Sequence, residues 1–422
     1  MKIAMVYFNN DKISVGRGAG YIAAIIMQAG HQLTFYDTAY IPLQGLLSDL
    51  TTQVEPFDLI LFSSTSLYDK QTYNLAVQIK QRASISILLG GIHASILKGQ
   101  IFKDCPEIDY LCIGEGEEFI LEFLQSVEVD GDLSQIQNLA YQKQDGTIIV
   151  NSIRPCTDLD TLPVFPFHLF QDRSLVNDSP RAGFCYVSAT RGCPYRCTYC
   201  CNSAYLDLYP KKYLRTRPID SVIEELQFLK ERYSVKLFYF GDEMILFNVP
   251  YVTELFHRIK KDVGVTLGCM FRPECITPEI INLFRETNCR YVGMGVECGD
   301  EKFRREFLNR KGTNDQIIHA FAEVKSIPGM FTTSYNMRGY PVSYDDELTK
   351  KTKDLNATIK PGIFQCSIFY PFPGTKLHAY CVEHDLISPE KLEQMTKNFQ
   401  CYFRMSVLRD KPWSNQPERP IT

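Results

Sequence analysis

Arg191-Gly192-Cys193-Pro194-Tyr195-Arg196-Cys197-Thr198-Tyr199-Cys200-Cys201-Asn202 is the stretch on which the reading of this chain turns. Cys193, Cys197 and Cys200 offer three thiolates within eight residues, with no fourth cysteine at an equivalent step. Structural zinc wants four closed ligands, commonly two separated Cys-x-x-Cys pairs, so the spacing suits zinc poorly. An iron–sulfur cube held by three cysteines keeps one iron open to a substrate or cofactor. Cys201 is left out of the ligand set, because adjacent side chains cannot easily both reach one cube.

The composition around that loop sets limits. A chain of 422 residues, 45% hydrophobic and 22% charged, predicts a globular protein of two or three domains. A net charge of -4 gives no reason to expect nucleic acid as a main partner. No stretch approaches ~20 uninterrupted apolar residues, so no membrane span is expected. Met1-Lys2 leads straight into an apolar run, which predicts no secretory signal, and the 15 cysteines are an odd number. Reduced thiols in a cytoplasm explain that usage better than disulfides. Twelve of the 15 lie from Cys185 onward, marking the second half as chemically distinct.

The first half alternates strand and helix signals. Strands are expected at Ile3–Phe8, Leu33–Tyr36, Leu59–Phe62, Ile85–Leu89 and Tyr110–Ile113, with helices near Gly20–Ala29, Gln71–Gln81 and Phe119–Leu124. Short buried strands separated by helices predict a Rossmann-like, doubly wound parallel sheet. Ligands bind such sheets at the carboxyl ends of strands. Small polar residues and glycines stand at three of them: Ser63-Ser64-Thr65, Gly90-Gly91-Ile92-His93 and Gly114-Glu115-Gly116-Glu117. Gly16-Arg17-Gly18-Ala19-Gly20 does not make a dinucleotide loop, since its last glycine comes too early, and it reads as a flexible turn. Asn138–Tyr141, Asp145-Gly146 and Ile148–Val150 predict a small hairpin within the linker, followed there by a proline-bearing crossing at Phe165-Pro166-Phe167.

From Phe184 about six further strand–helix units follow, with strands expected at Phe184–Ser188, Val235–Phe240, Val265–Phe271, Tyr291–Glu297, Phe331–Met337 and Ile363–Tyr370. Ser221 with Glu224 suggests a capping box for the first intervening helix, and Thr277-Pro278 starts a later one. Such repetition implies a parallel barrel or barrel fragment with chemistry at the strands' carboxyl ends. Those ends carry Gly241-Asp242-Glu243, Arg272, Glu297, Asn336 with Arg338, and Tyr370. A bland reading pairs Glu297 with Arg272 inside the barrel.

RGCPYRCTYCCN resembles the cluster-binding loop of the radical S-adenosylmethionine (SAM) superfamily. The first half resembles the cobalamin-binding domain that precedes many of its members, on Gly20-Tyr21-Ile22-Ala23-Ala24, Gly30-His31, Leu89–His93 and Asp109-Tyr110 through Glu117. The resemblance covers residues 1 to 385 and implies a cobalamin-binding domain over 1–130, a linker over 131–180, a partial (β/α)6 barrel over 181–385, and a C-terminal segment over 386–422 covering the barrel mouth. It implies a [4Fe-4S] cluster on Cys193, Cys197 and Cys200. SAM would be bound by the main chain at Tyr199 and by Gly241, Asp242, Glu243, Arg272, Glu297 and Asn336. Cobalamin contacts are implied for Ser63, Ser64, Thr65, Gly90, Gly91, His93, Glu115 and Gly116. The Asp-x-His-x-x-Gly motif of histidine-on-cobalt proteins is missing, so cobalt's lower face is expected to lack a histidine, with His93 supporting its loop. Arg338 stands where a small apolar residue is commoner in that family, and it and Tyr370 are candidates to meet substrate.

The activity so implied is methylation of a carbon centre in a small-molecule or natural-product substrate, through a 5′-deoxyadenosyl radical and methylcobalamin. An external electron donor such as flavodoxin or ferredoxin would supply the electron. Relatives that close or rearrange rings are the alternative, and a non-catalytic corrinoid or cluster-binding sensor is a reading of another class. A methylthiotransferase would need a second cluster and usually an RNA-binding tail. Only 47 residues follow Thr375, with Cys381 and Cys401 unsuitably spaced. Cys401, Tyr402 and Trp413 are candidates to line a pocket.

Overall fold

The computed structural model describes residues 1–10, 15–171, 183–397 and 406–409, so Cys401, Tyr402 and Trp413 lie outside the described residues. The chain divides into two compact units, Met1–Pro180 with Leu208–Lys212, and Arg181–Asp207 with Tyr213–Thr422.

In the first unit, β1 (Lys2–Tyr7), β2 (Gln32–Asp37), β3 (Leu59–Ser63), β4 (Ser86–Gly90) and β5 (Tyr110–Cys112) run parallel in the order β2-β1-β3-β4-β5. Alternate residues of each strand enter different cores. Ile3, Met5, Leu59 and Leu61 pack with the helices Arg17–Gln28 and Phe119–Glu128. Ala4, Val6, Ile60 and Phe62 pack with Leu43–Thr51 and Asp69–Lys80. Burial on both faces explains why these strands read as unbroken apolar runs, and the sheet is doubly wound as expected.

The hairpin departs from its expected place in a linker. β6 (Leu139–Gln142) and β7 (Ile148–Val150) extend the same sheet antiparallel, with Tyr110 opposite Tyr141 and Cys112 opposite Leu139. An open β5 edge would leave backbone groups unpaired, and the hairpin covers it.

The early glycines also differ from a flexible turn, since Gly18 and Gly20 lie within the helix Arg17–Gln28. Gly20 gives room to the linker: a Cβ there would stand 2.3 Å from the Phe165 ring. The Arg17 guanidinium covers the rings of Phe165 and Phe167 at 4.6 and 5.3 Å. Gly20→Ala gains about 1 kcal/mol of helix propensity but overpacks by about 1–3 kcal/mol. A lower melting temperature is therefore expected, and an unchanged one would mean that Phe165 can move aside.

The second unit holds β8 (Phe184–Val187), a short antiparallel pair β9 (Thr190–Arg191) and β10 (Arg215–Thr216), then β11 (Leu237–Phe240), β12 (Thr266–Phe271), β13 (Cys289–Glu297), β14 (Phe331–Arg338) and β15 (Ile363–Ile368). Six strands form one parallel sheet in the order β15-β14-β13-β12-β11-β8, the partial barrel expected from the repeating units. Val222, Leu226 and Leu229 form the buried stripe of the helix Ile219–Tyr233. Ser221 does not cap it, because Pro218 already starts the helix and the Ser221 hydroxyl accepts from Arg217 at 3.3 Å. Thr277 does cap, its side chain accepting from Ile280 N. No helix among the described residues is long and apolar enough to cross a membrane.

Candidate cluster and cofactor sites

The cysteine loop leaves β8 and is stitched to its unit from two sides. On one side, Asp242 Oδ1 accepts from Ala189 N at 2.9 Å and Thr190 Oγ1 at 2.6 Å. Gly192 follows at φ +100, and a Cβ there would stand 2.6 Å from the Tyr213 carbonyl oxygen, so glycine alone lets the chain turn. On the other side, Thr198 Oγ1 donates to Phe307 O at 2.7 Å and Asn309 Nδ2 donates to Arg196 O at 2.7 Å. Leu377 N closes the loop on Thr198 O at 3.0 Å.

Cys193 and Cys197 are buried and Cys200 is partly exposed. Their sulfurs share one electrostatic neighbourhood. Burial pushes the Cys193 thiol up to about 12, with Cys200, Cys197 and Glu243 adding to it. Cys197 is raised by burial and offset by Arg310 and Arg272. Cys200 is instead lowered to about 7, first because the Cys201 thiol donates to it. Among the described residues no three His, Cys, Asp or Glu side chains converge as ligands of a single ion would. Thiols around a cube stand farther apart than those around one zinc. Three neighbouring sulfurs on a fixed loop fit the cube, and iron binding would deprotonate them.

The strand-end residues separate into those that face this loop and those that do not. Gly241 and Glu243 are exposed while Asp242 is buried. Asp242 holds the loop through Oδ1, leaves Oδ2 without a partner, and is pushed to about 7 by burial. Of the two carboxylates expected to meet the SAM ammonium, only Glu243 is accessible, and its charge bears on Cys193 and Cys201.

Arg272 lies over the Tyr195 ring at 3.8 Å and pairs with Glu274 at 2.6 Å. It does not pair with Glu297. The partner of Glu297 is Arg310 at 3.3 Å, which the sequence reading missed. Arg310 also donates to the Tyr199 hydroxyl at 3.2 Å and to Gly295 O at 2.6 Å. Glu297 sits at a register shift in β13 with φ +64, a left-handed backbone unusual for this residue. The only local hint of Arg310 is the basic, glycine-bearing run Asn309-Arg310-Lys311-Gly312.

Asn336 requires a correction. Its Nδ2 donates to Ser334 and Gln365 O, and its Oδ1 accepts from Asn356 Nδ2 at 2.9 Å. Strand alternation turns it toward the helix Asp345–Ile359, so its buried amide locks β14 to that helix and does not face the barrel interior where SAM was expected. Arg338, two residues on, is exposed, and Tyr370 is buried edge-on to Phe372.

In the first unit the three strand-end loops form one row. Ser64 N donates to Gly90 O at 3.2 Å, and a Cβ on Gly91 (φ +95) would stand 2.6 Å from Ser64 O. Ser95 Oγ donates to Gly91 O and accepts from Gly114 N, both at 2.9 Å. Ser63 and Thr65 are partly exposed, and Gly116 packs on Ile22 and Cys112. Such a row of backbone and hydroxyl groups fits a corrinoid's amide-rich periphery.

His93 does not reach outward. Its Nδ1 meets Ser66 Oγ at 3.0 Å and its Nε2 meets the Tyr73 hydroxyl at 2.6 Å. Burial lowers it to about 4, so it is a neutral loop support with both nitrogens occupied. The Glu115 carboxylate is turned to Thr157 N at 2.8 Å, while Glu115 N meets the Tyr209 hydroxyl at 2.8 Å. Tyr209 was not legible from the sequence, because it comes from the separate segment Leu208–Lys212.

Residues 187–351 match the family model of the Radical SAM superfamily, and residues 11–124 match that of the B12 binding domain. The chain is 25% identical to an uncharacterized methyltransferase, PH0819, of Pyrococcus horikoshii, over 88% of this chain and 79% of that protein. It is 22% identical to an anaerobic magnesium-protoporphyrin IX monomethyl ester cyclase of Rubrivivax gelatinosus, over 94% and 75%. Its fold is similar to that of the radical S-adenosylmethionine methyltransferase TsrM from Kitasatospora setae, solved with cobalamin and a [4Fe-4S] cluster, at a TM-score of 0.71 and 15% identity over 92% and 76% of the two chains.

Proposed function

Since the chain belongs to the radical SAM superfamily and carries a B12 binding domain, we propose that it methylates a carbon centre of a small molecule. The observation that carries this reading is the cysteine loop: three neighbouring sulfurs, held on both sides, at the carboxyl end of a parallel half-barrel. When bound, the cluster with SAM supplies one-electron cleavage chemistry and cobalamin supplies a methyl group.

Cys193, Cys197 and Cys200 would hold the cluster. Glu243 would accept from the SAM ammonium, with Gly241 permitting close approach. Arg310 fixes Glu297 and Tyr199 together, so these two form one preorganised wall. Ser63, Thr65, Gly90, Gly91, Glu115 and Gly116 would hold cobalamin mainly through backbone and hydroxyl groups, with Ser64 and His93 behind them. Further inside, the Tyr239 and Tyr335 hydroxyls meet at 3.4 Å beside Gly293, which makes room for both rings. Tyr370 stays as a candidate for substrate; Arg338, two residues beyond Asn336, lies on the same helix-facing side of β14, so it would meet substrate only from beyond the strand's end. A cytoplasmic setting with flavodoxin or ferredoxin as electron donor suits an oxygen-sensitive cluster.

Similarity to a cyclase supports ring closure without net methylation as the second reading. Anaerobic reconstitution with iron, sulfide and hydroxocobalamin should give protein that retains corrin through gel filtration, seen in its absorbance. With SAM and a reductant it should release 5′-deoxyadenosine, and with substrate it should also form S-adenosylhomocysteine. Turnover with 5′-deoxyadenosine but no S-adenosylhomocysteine would favour ring closure. Loss of corrin would reject the cobalamin assignment.

A further inference from the structure

We propose that Asn202 and Tyr213 are positioning residues that set the reduction potential of the cluster by holding an amide N–H on the sulfur of Cys200. The proposal rests on the assignment of Cys193, Cys197 and Cys200 as cluster ligands. Asn202 Nδ2 stands 3.7 Å from Cys200 Sγ, a hydrogen-bonding distance for sulfur. Its Oδ1 accepts from the Tyr213 hydroxyl at 2.6 Å.

Tyr213 is itself fixed. Its side chain is buried and stacks on Tyr205 at 6.1 Å and 14°, and its carbonyl lies against Gly192 at the start of the cysteine loop. The anionic sulfur, which only accepts, and the phenol, which donates, together set which way the amide points. With oxygen and nitrogen exchanged, the amide oxygen would face an anionic sulfur and the phenol would lose the acceptor of its own hydrogen. The same residue pair therefore anchors the donor and orients it.

Reduction adds one negative charge that the cluster shares with its sulfurs. An N–H dipole aimed at a ligand sulfur stabilises the reduced form more than the oxidised one, which raises the potential. Partial burial of the site strengthens the effect. Without this bond the cluster becomes harder to reduce, and the electron needed for SAM cleavage arrives less often.

The test is an anaerobic redox titration of the full-length reconstituted protein without SAM, followed by electron paramagnetic resonance, with iron and sulfide content measured in parallel. Asn202→Asp keeps the acceptor for Tyr213 but turns an anionic oxygen toward the sulfur. At a fixed solution potential its ratio of reduced to oxidised cluster should fall about tenfold, which is ~59 mV for one electron. Asn202→Ala should show a smaller fall, and Tyr213→Phe a fall in the same direction. Normally loaded variants with unchanged ratios would overturn the proposal. It would also fail if Asn202→Asp and Tyr213→Phe took up no iron while the unsubstituted protein did, since the residues would then serve assembly. An unsubstituted protein without iron would instead reject the ligand assignment on which the proposal stands.

Discussion

Cys197→Ala protein, reconstituted anaerobically, is expected to hold no stable iron–sulfur cluster and to release no 5′-deoxyadenosine above background. Cys197 is the central thiol of the loop, is buried, and shares its surroundings with the other two sulfurs and with Arg310 and Arg272. Removing it leaves Cys193 and Cys200, six intervening residues apart, to hold a cube that needs three protein ligands. The loop itself should survive, because Asp242, Thr198 and Asn309 hold it through backbone and side-chain bonds that do not involve the thiol. Loss of iron without loss of fold is thus the expected pattern, read by iron analysis beside circular dichroism. Cys201→Ala is the matched control. Cys201 is not one of the three assigned ligands, so cluster content should be largely kept. Normal iron and normal 5′-deoxyadenosine in Cys197→Ala would remove the basis of the assignment.

Both sheets were legible because parallel strands are buried on two faces and read as short apolar runs, as Leu59–Ser63 and Ser86–Gly90 show. The cysteine loop was legible because its spacing is local. What escaped was decided by side-chain direction or by distant pairing. Asp242 and Glu243 look equivalent in sequence, yet one turns inward to the loop and the other faces outward. Asn336 stands at the strand end where a ligand contact was expected, but its alternation sends it to Asn356 on a neighbouring helix. Arg310 reaches Glu297 across an intervening helix, Glu301–Glu306, so no periodic pattern announces the pair. The hairpin's two strands were readable, but not the β5 edge that they would cover, because edge pairing is settled between segments far apart in the chain.

Arg310→Met is the second substitution expected to have a large effect, a destabilisation of about 3–5 kcal/mol at neutral pH, the range for breaking one side of a buried ion pair. Both partners are well covered, with side-chain exposures of 8% for Arg310 and 14% for Glu297. One guanidinium serves Glu297, the Tyr199 hydroxyl and Gly295 O, and methionine takes that cationic donor from all three. Lysine should recover only part of the loss, since a point charge cannot reproduce the planar fork. The pH dependence identifies the cause. Burial raises the Glu297 carboxyl above 4.5, and Arg310 and Tyr199 pull it back. A carboxyl raised in the folded state contributes stability in full below its unfolded value and loses it as pH rises through the folded value. Removing Arg310 raises that folded value further, so the deficit should be largest well above it and shrink as pH falls toward 4.5. Glu297→Gln added to Arg310→Met should restore part of the melting temperature at neutral pH, because an amide needs no cation. A deficit that is flat with pH and untouched by Glu297→Gln would show that Arg310 acts through Gly295 and Tyr199 alone. Because Tyr199 stands between Cys197 and Cys200, the same variant should lose cluster iron to a chelator faster than the unsubstituted protein.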